Sequence, residues 1–415
     1  MRATLRLTRA EFLGLIGAMG TPFGRRVLGT QAPAGATESR VAVIVRDYDT
    51  QGFHRTATDV DQASAKWLVA QVADAGAKAG LELFALQRVD VTSAFVTVGD
   101  RRAEGLPLFD GTFTDVNGIE GLLGTAGSQA PIVLTTLDPA AISAEGRSIA
   151  ALRRSPAVRA IVAITKGGHE GLTPTNAVDF ASPYGVPVLQ VGSEHEAWLT
   201  ESAAGGRRVK VVAAATRTAA SAHNVIARVD GERSDLPPVV VITPRSGWWH
   251  CASERGGGLA CWLEAIRAAV TTPGQRPAWF LASSGHELGH LGLDHFLHGR
   301  PELIKRAAAW IHLGANIGAA GGLARLQASD DAIAAMADAA LKQAGAALDR
   351  HVPPGTVPAG EARNIHVGGG RYFSLLGTSR YFHSVADRFA DAVDVPAVAR
   401  YAAAVTSVLM LLRRA

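Results

Sequence analysis

Apolar positions along the chain fall into two textures. Val41 to Val45 is a β-branched run of buried-strand type. Asp59 to Ala79 follows with the spacing of an amphipathic helix, which Gly80 ends. Leu81 to Val89 reads as the next strand. From about Leu106 the runs shorten and are punctuated by Gly, Pro, Asp and Asn. Ile132 to Thr135, Ala160 to Ile164, Val186 to Val191 and Val209 to Val212 predict a strand-rich module. After Asn224 strands and helices alternate. Strands are expected at Asn224–Val229, Pro238–Ile242, Ala278–Ala282 and Ala308–Leu313, and helices at Leu259–Val270, Ala332–Leu348 and Val395–Leu412. That alternation predicts an α/β fold, a sheet covered on both faces by helices. With 415 residues the chain exceeds what one core usually serves, so two or three domains are expected.

Composition narrows the function classes. Hydrophobic residues make up 47% and charged ones 19%, ordinary for a globular protein, and the formal net charge of +4 is small. No basic run exceeds short pairs such as Arg207-Arg208, so nucleic acid is not an expected partner. No apolar run reads as long enough to span a bilayer. The first 40 residues read as a leader or signal-like segment. Arg2, Arg6 and Arg9 precede an apolar stretch from Phe12 to Met19, and Thr8-Arg-Ala-Glu-Phe-Leu-Gly14 resembles a twin-arginine signal with Ala10 in place of one arginine. Export to the periplasm or medium and a cytoplasmic location both stay open, as does the oligomeric state. The two cysteines, Cys251 and Cys261, make neither a disulfide scaffold nor a CxxC zinc pattern.

His286-Glu-Leu-Gly-His290 spells H-E-x-x-H. On a helix that spacing puts two imidazoles on one face to bind zinc, with the glutamate as base. Here, however, Ala278 to Ala282 reads as a strand and Ser283-Ser-Gly285 as a turn, so the flanking helix is missing. His295 also stands one residue short of the spacing for a third ligand.

The stretch from Asn224 to Asp387 resembles the zinc exopeptidases that include bacterial leucyl aminopeptidases, glutamate carboxypeptidase II and glutaminyl cyclases. The resemblance rests on Val239-Val-Val-Ile-Thr-Pro-Arg-Ser246, on Cys251-Ala-Ser-Glu-Arg-Gly-Gly-Gly258 running into Leu259, and on Gly285-His-Glu-Leu-Gly-His-Leu-Gly292. Ile311-His-Leu-Gly314 and Tyr381-Phe-His-Ser-Val-Ala-Asp387 complete it. Tyr184-Gly-Val-Pro-Val-Leu-Gln-Val191 resembles part of a protease-associated domain. The resemblance implies a zinc-aminopeptidase-like three-layer αβα domain at 41–105 and 219–415, with a β-rich protease-associated insert at 106–218.

The departures from the family pattern shape the expected chemistry. The positions of the family's first His and Asp hold Pro244 and Ser246, and that of a later Asp holds Gly314; none of these three is a ligand. The metal-bridging Asp becomes Glu254, the general base becomes His286, and the ligands that follow are Glu287 and His383. The resemblance therefore implies one zinc ion, or another divalent ion, on Glu254, Glu287 and His383. His286 would be the catalytic base, since its ordinary pKa near 6.5 suits proton transfer. His250, Trp248, Trp249, His312 and Asp387 are candidates for substrate contact or for supporting the ligands, and each has an alternative as loop, core or capping residue. The expected activity is hydrolysis of an amide or peptide-type bond in a small-molecule or peptide substrate. A cyclase of the glutaminyl-cyclase kind and a non-catalytic binding protein on the same fold remain alternatives.

Overall fold

The computed structural model describes residues 34–140 and 149–415, so most of the leader-like segment lies outside the described residues. Helix α1 (Ala34–Asp49) stands where a strand was expected at Val41–Val45. The buried hydrophobic positions are Val41, Ile44, Val45 and Tyr48, a helical spacing, while Val43 is exposed. The β-branched composition misled because the period is what decides. Helix α2 (Asp59–Asp74) opens with Thr58, whose hydroxyl accepts the Asp61 N–H.

Two long strands organise the rest, β1 (Ala79–Val98) and β7 (Arg208–Val229), paired antiparallel from Ala79↔Ala227 to Thr97↔Lys210. Two separate strands were expected across the span of β7, and residue 218 falls inside it. Between them run β2 (Arg101–Pro107), β3 (Ile119–Thr125), β4 (Ile132–Leu137), β5 (Ala160–Thr165), β6 (Val188–Val191) and α3 (Glu196–Ala204). Their order, β1-β2-β6-β5-β4-β3-β7, closes into a ring because β7 returns to β1. Leu123, Ile132, Val162, Leu189, Leu199 and Val211 fill this ring.

Beyond β7 the sheet continues through β9 (Ala278–Ser283), β8 (Val239–Pro244), β10 (Ala309–Leu313), β13 (Tyr372–Gly377), β11 (Ala324–Ala328) and β12 (Leu348–Val352). β9, β8, β10 and β13 run parallel. The fold is thus mixed α/β, as expected. Alternate residues of β8 serve opposite faces. Val239 and Val241 join the core under α1, α2, α4 (Gly257–Thr271), α7 (Asp331–Gln343) and α9 (Val395–Arg414). Val240 and Ile242 join the core under α5 (Leu291–His298), α6 (Leu303–Arg306) and α8 (Ala362–Val367).

Helix α9 corrects one expectation. It is a 20-residue helix long and apolar enough by length and composition to cross a membrane, where no apolar run of that length is expected from the sequence. Half of its apolar window is buried within the molecule, against α4 among others.

Candidate functional site

The parallel strands β8, β9, β10 and β13 end on the same side of the sheet, where open α/β sheets bind ligands. The loop after β8 leads through Cys251, in the left-handed region at φ 56°, into a π-helical turn over Ala252–Gly256 that carries Glu254 and Arg255. Glycine is required next. A Cβ on Gly257 would stand 1.9 Å from the Ile317 carbonyl oxygen, so only a bare backbone lets α4 start this close to the sheet.

Asp387 holds that turn. Its carboxylate accepts the N–H groups of Ser253 at 2.8 Å and Glu254 at 3.0 Å, and burial pushes its pKa up to about 7. Glu254 is buried, and its carboxylate meets the Arg255 guanidinium at 2.6 Å and the His383 Nε2 at 3.4 Å. Burial acts to raise Glu254, but Arg255 and then His383 hold it well below the carboxylate range. Among the described residues neither Glu254 oxygen nor His383 Nε2 makes a hydrogen bond, so the Glu254 charge is met by the Arg255 ion pair. His383 itself sits at φ 58° and donates its Nδ1–H to the Pro174 carbonyl at 2.5 Å, which leaves Nε2 as the free lone pair. Glu254 Oε2 and His383 Nε2, without hydrogen bonds among the described residues, thus converge in a dry place with the ion-paired Glu254 Oε1, as a metal ligand set would. Arg255 also donates through Nε to the Ser246 carbonyl at 2.7 Å, which ties the turn to the loop after β8.

Glu287 is placed differently. Its carboxylate accepts the Thr56 N–H and the Ser246 hydroxyl, both at 2.7 Å, and burial raises its pKa. Ser246 in turn accepts the N–H groups of Gly285 and His286, so this contact ties the loop after β8 to the loop after β9.

The H-E-x-x-H stretch after β9 does not lie on one helix. His286–Leu288 is a single 3₁₀ turn bounded by Gly285 and Gly289, both at positive φ, and His290 lies at φ 69°. The bend nevertheless brings the His286 and His290 rings to 5.1 Å between centroids. His286 Nδ1 lies 2.7 Å from Glu361 Oε1, and His312 Nε2 lies 3.3 Å from Glu361 Oε2. Burial and then the positive Arg255 lower the His286 pKa to about 4, so the imidazole is neutral near pH 7. Among the described residues one set of three His, Cys, Asp or Glu donors lies within 4.8 Å of one another: His286, His290 and Glu361.

The other expected residues support the walls. Trp248 is fully buried and donates through Nε1 to Asn176 Oδ1 at 3.1 Å. Trp249 donates to the His383 carbonyl at 2.8 Å. His250 stays beside Phe53 with its Nδ1 on the Asp49 carbonyl. His312 joins Glu361 and Ser374. Cys251 and Cys261 are free and buried. A segment of the strand-rich part roofs the site. Besides Pro174 and Asn176, the Ala177 N–H donates to the Glu287 carbonyl at 2.8 Å, and Val178 packs on Gly289.

Sequence reasoning missed Arg255 and Glu361. Arg255 was legible only as the neighbour of an expected ligand. Glu361 follows Gly360 in a stretch without motif, and only the fold brings it to His286.

No protein-family profile matches the sequence, and no curated protein matches it. Solved structures do match in fold. A zinc aminopeptidase from Bacillus subtilis superposes with a TM-score of 0.73 at 14% identity, covering 93% of this chain and 96% of that one. An aminopeptidase from Aneurinibacillus sp. strain AM-1 gives 0.68 at 15%, covering 92% and 94%. A peptidase M28 precursor from Shewanella amazonensis gives 0.71 at 14%, covering 92% and 96%.

Proposed function

From the premise that the chain has the fold of the zinc aminopeptidases, we propose that it is a metal-dependent hydrolase of amide or peptide-type bonds. The observation that carries this reading is the convergence of Glu254 and His383, buried and with Glu254 Oε2 and His383 Nε2 lacking hydrogen bonds, where the parallel strands end. Glu254 and His383 would hold one zinc ion, with Glu287 as the further ligand that the resemblance implies. Such an ion supplies a water of lowered pKa and polarises a carbonyl. The chain's own groups do the rest. Pro174 fixes the tautomer of His383, Asp387 fixes the turn under Glu254, and the roof keeps the site dry. His286, neutral and steadied at Nδ1 by Glu361, would accept a proton at Nε2 and return it to the leaving nitrogen.

The test joins metal content to turnover. Purified protein is expected to release product from a panel of aminoacyl anilides and small amides. His383→Ala should lose both the activity and one zinc ion per chain, and His286→Ala should keep that ion but turn over roughly 10² to 10⁴ times more slowly. Protein that carries zinc on Glu254 and His383 yet cleaves nothing would be a binding module instead. That outcome has its own support in Arg255, which already neutralises Glu254.

A further inference from the structure

The second cluster beside the proposed site has features that a proton-transfer role alone leaves unused. His290 is half-buried and opens toward solvent, while His286 and Glu361 lie behind it. The His290 ring is held by a chain of side chains: Asn364 donates through Nδ2 to Asp294 Oδ1 at 2.6 Å, which turns its Oδ1 toward His290 Nδ1 at 2.9 Å. With Nδ1–H donated there, Nε2 keeps its lone pair and a fixed direction, the arrangement by which proteins aim an imidazole at a metal. The carboxylate of Glu361 is buried, and among the described residues its hydrogen-bonding partners are the imidazoles of His286 and His312. A buried carboxylate so placed is stabilised by an added cation.

We infer that His286, His290 and Glu361 bind a divalent transition-metal ion at a site separate from Glu254 and His383. Two imidazoles with one carboxylate, all within 4.8 Å, suit zinc, cobalt or nickel better than magnesium or calcium. The fold places this set near Gly314, where a family ligand is missing. A Cβ on Gly314 would stand 2.9 Å from His312 Cε1, and His312 contacts Glu361. The inference stands without the proposed hydrolysis and meets it at one residue. An ion here engages His286, so filling the site would withdraw the base and slow turnover.

The experiment titrates chelator-stripped, full-length protein with zinc chloride and counts bound ions by calorimetry and elemental analysis. Wild type is expected to hold one more ion than His290→Ala. Asn364→Ala should keep the count but bind that ion some ten- to a hundredfold more weakly. His383→Ala should retain it. A wild type with two ions, of which each histidine variant loses one, supports both sites. A single ion lost in His290→Ala and kept in His383→Ala supports this site and removes the hydrolase's metal. A single ion kept in His290→Ala and lost in His383→Ala overturns this inference and leaves the hydrolase reading intact, and no bound zinc overturns both. His290, half-exposed, carries the test if Glu361→Gln does not fold, and circular dichroism of each variant checks that it has.

Discussion

At the scale of single residues, the guanidinium of Arg255 sits against Glu254 with both side chains shielded from water. A charge there survives only with its partner, since removing one member of a buried pair strands the other. Arg255→Leu is therefore expected to lower the unfolding free energy by about 3–5 kcal/mol at pH 8, measured by urea denaturation. Without Arg255, burial raises the Glu254 pKa above its unfolded value, so the folded state binds the extra proton. The variant should then grow relatively more stable as pH falls toward 5, and the gap to wild type should narrow. A variant as stable as wild type at pH 8 would show that Glu254 is not buried as a charge. Zinc at Glu254 would restore part of the loss. This residue also shows what the sequence hides. Glu254, His286 and His383 are legible because each sits in a motif at fixed spacing from a strand end. Arg255 and Glu361 act through contacts 9 and 75 residues away, Ser246 and His286, and no local pattern records those distances.

At the scale of elements, the turn over Ala252–Gly256 has no side-chain cap of its own and depends on Asp387, 133 residues downstream of Glu254. Asp387→Asn keeps the shape but sets an amide N–H₂ against a backbone N–H. One hydrogen bond is lost and one buried donor is left unpaired, so a loss of about 1–3 kcal/mol is expected in thermal or denaturant unfolding. An unchanged midpoint would mean that the turn stands alone. The elements themselves were mostly readable. β4, β5, β8, β9, β10 and α4 lie within a few residues of where hydrophobic spacing put them. Two failures share a cause. Val41 to Val45 was judged on β-branched composition, but its buried positions follow a helical period set by α4 and the sheet behind it. The interval Thr216–Ser221 of β7 carries no large apolar side chain, which separates the two strands expected on either side of it. In the structure it is one unbroken strand because β1 pairs with it throughout.

For the whole molecule, the paired β1 and β7 belong at once to the strand ring and to the large sheet. The ladder runs from Ala79↔Ala227 to Thr97↔Lys210 with a single irregularity near Val91. Neither strand can melt in one half without loosening the other. Scanning calorimetry should accordingly give one heat-absorption peak with matched calorimetric and van't Hoff enthalpies. Two resolved peaks would show that the ring and the large sheet unfold as independent units.

The same ribbon sets how anything enters or leaves the site. A flexible tether between two bodies would let one swing away from the other, but a two-stranded beam nearly twenty residues long resists bending. Traffic would then pass through a small gate rather than a wide jaw. The stretch around Pro174 to Val178 would serve as that gate, since it is held by three hydrogen bonds, to His383, Trp248 and Glu287. Its opening rate, and not the motion of a domain, would set the pace of exchange.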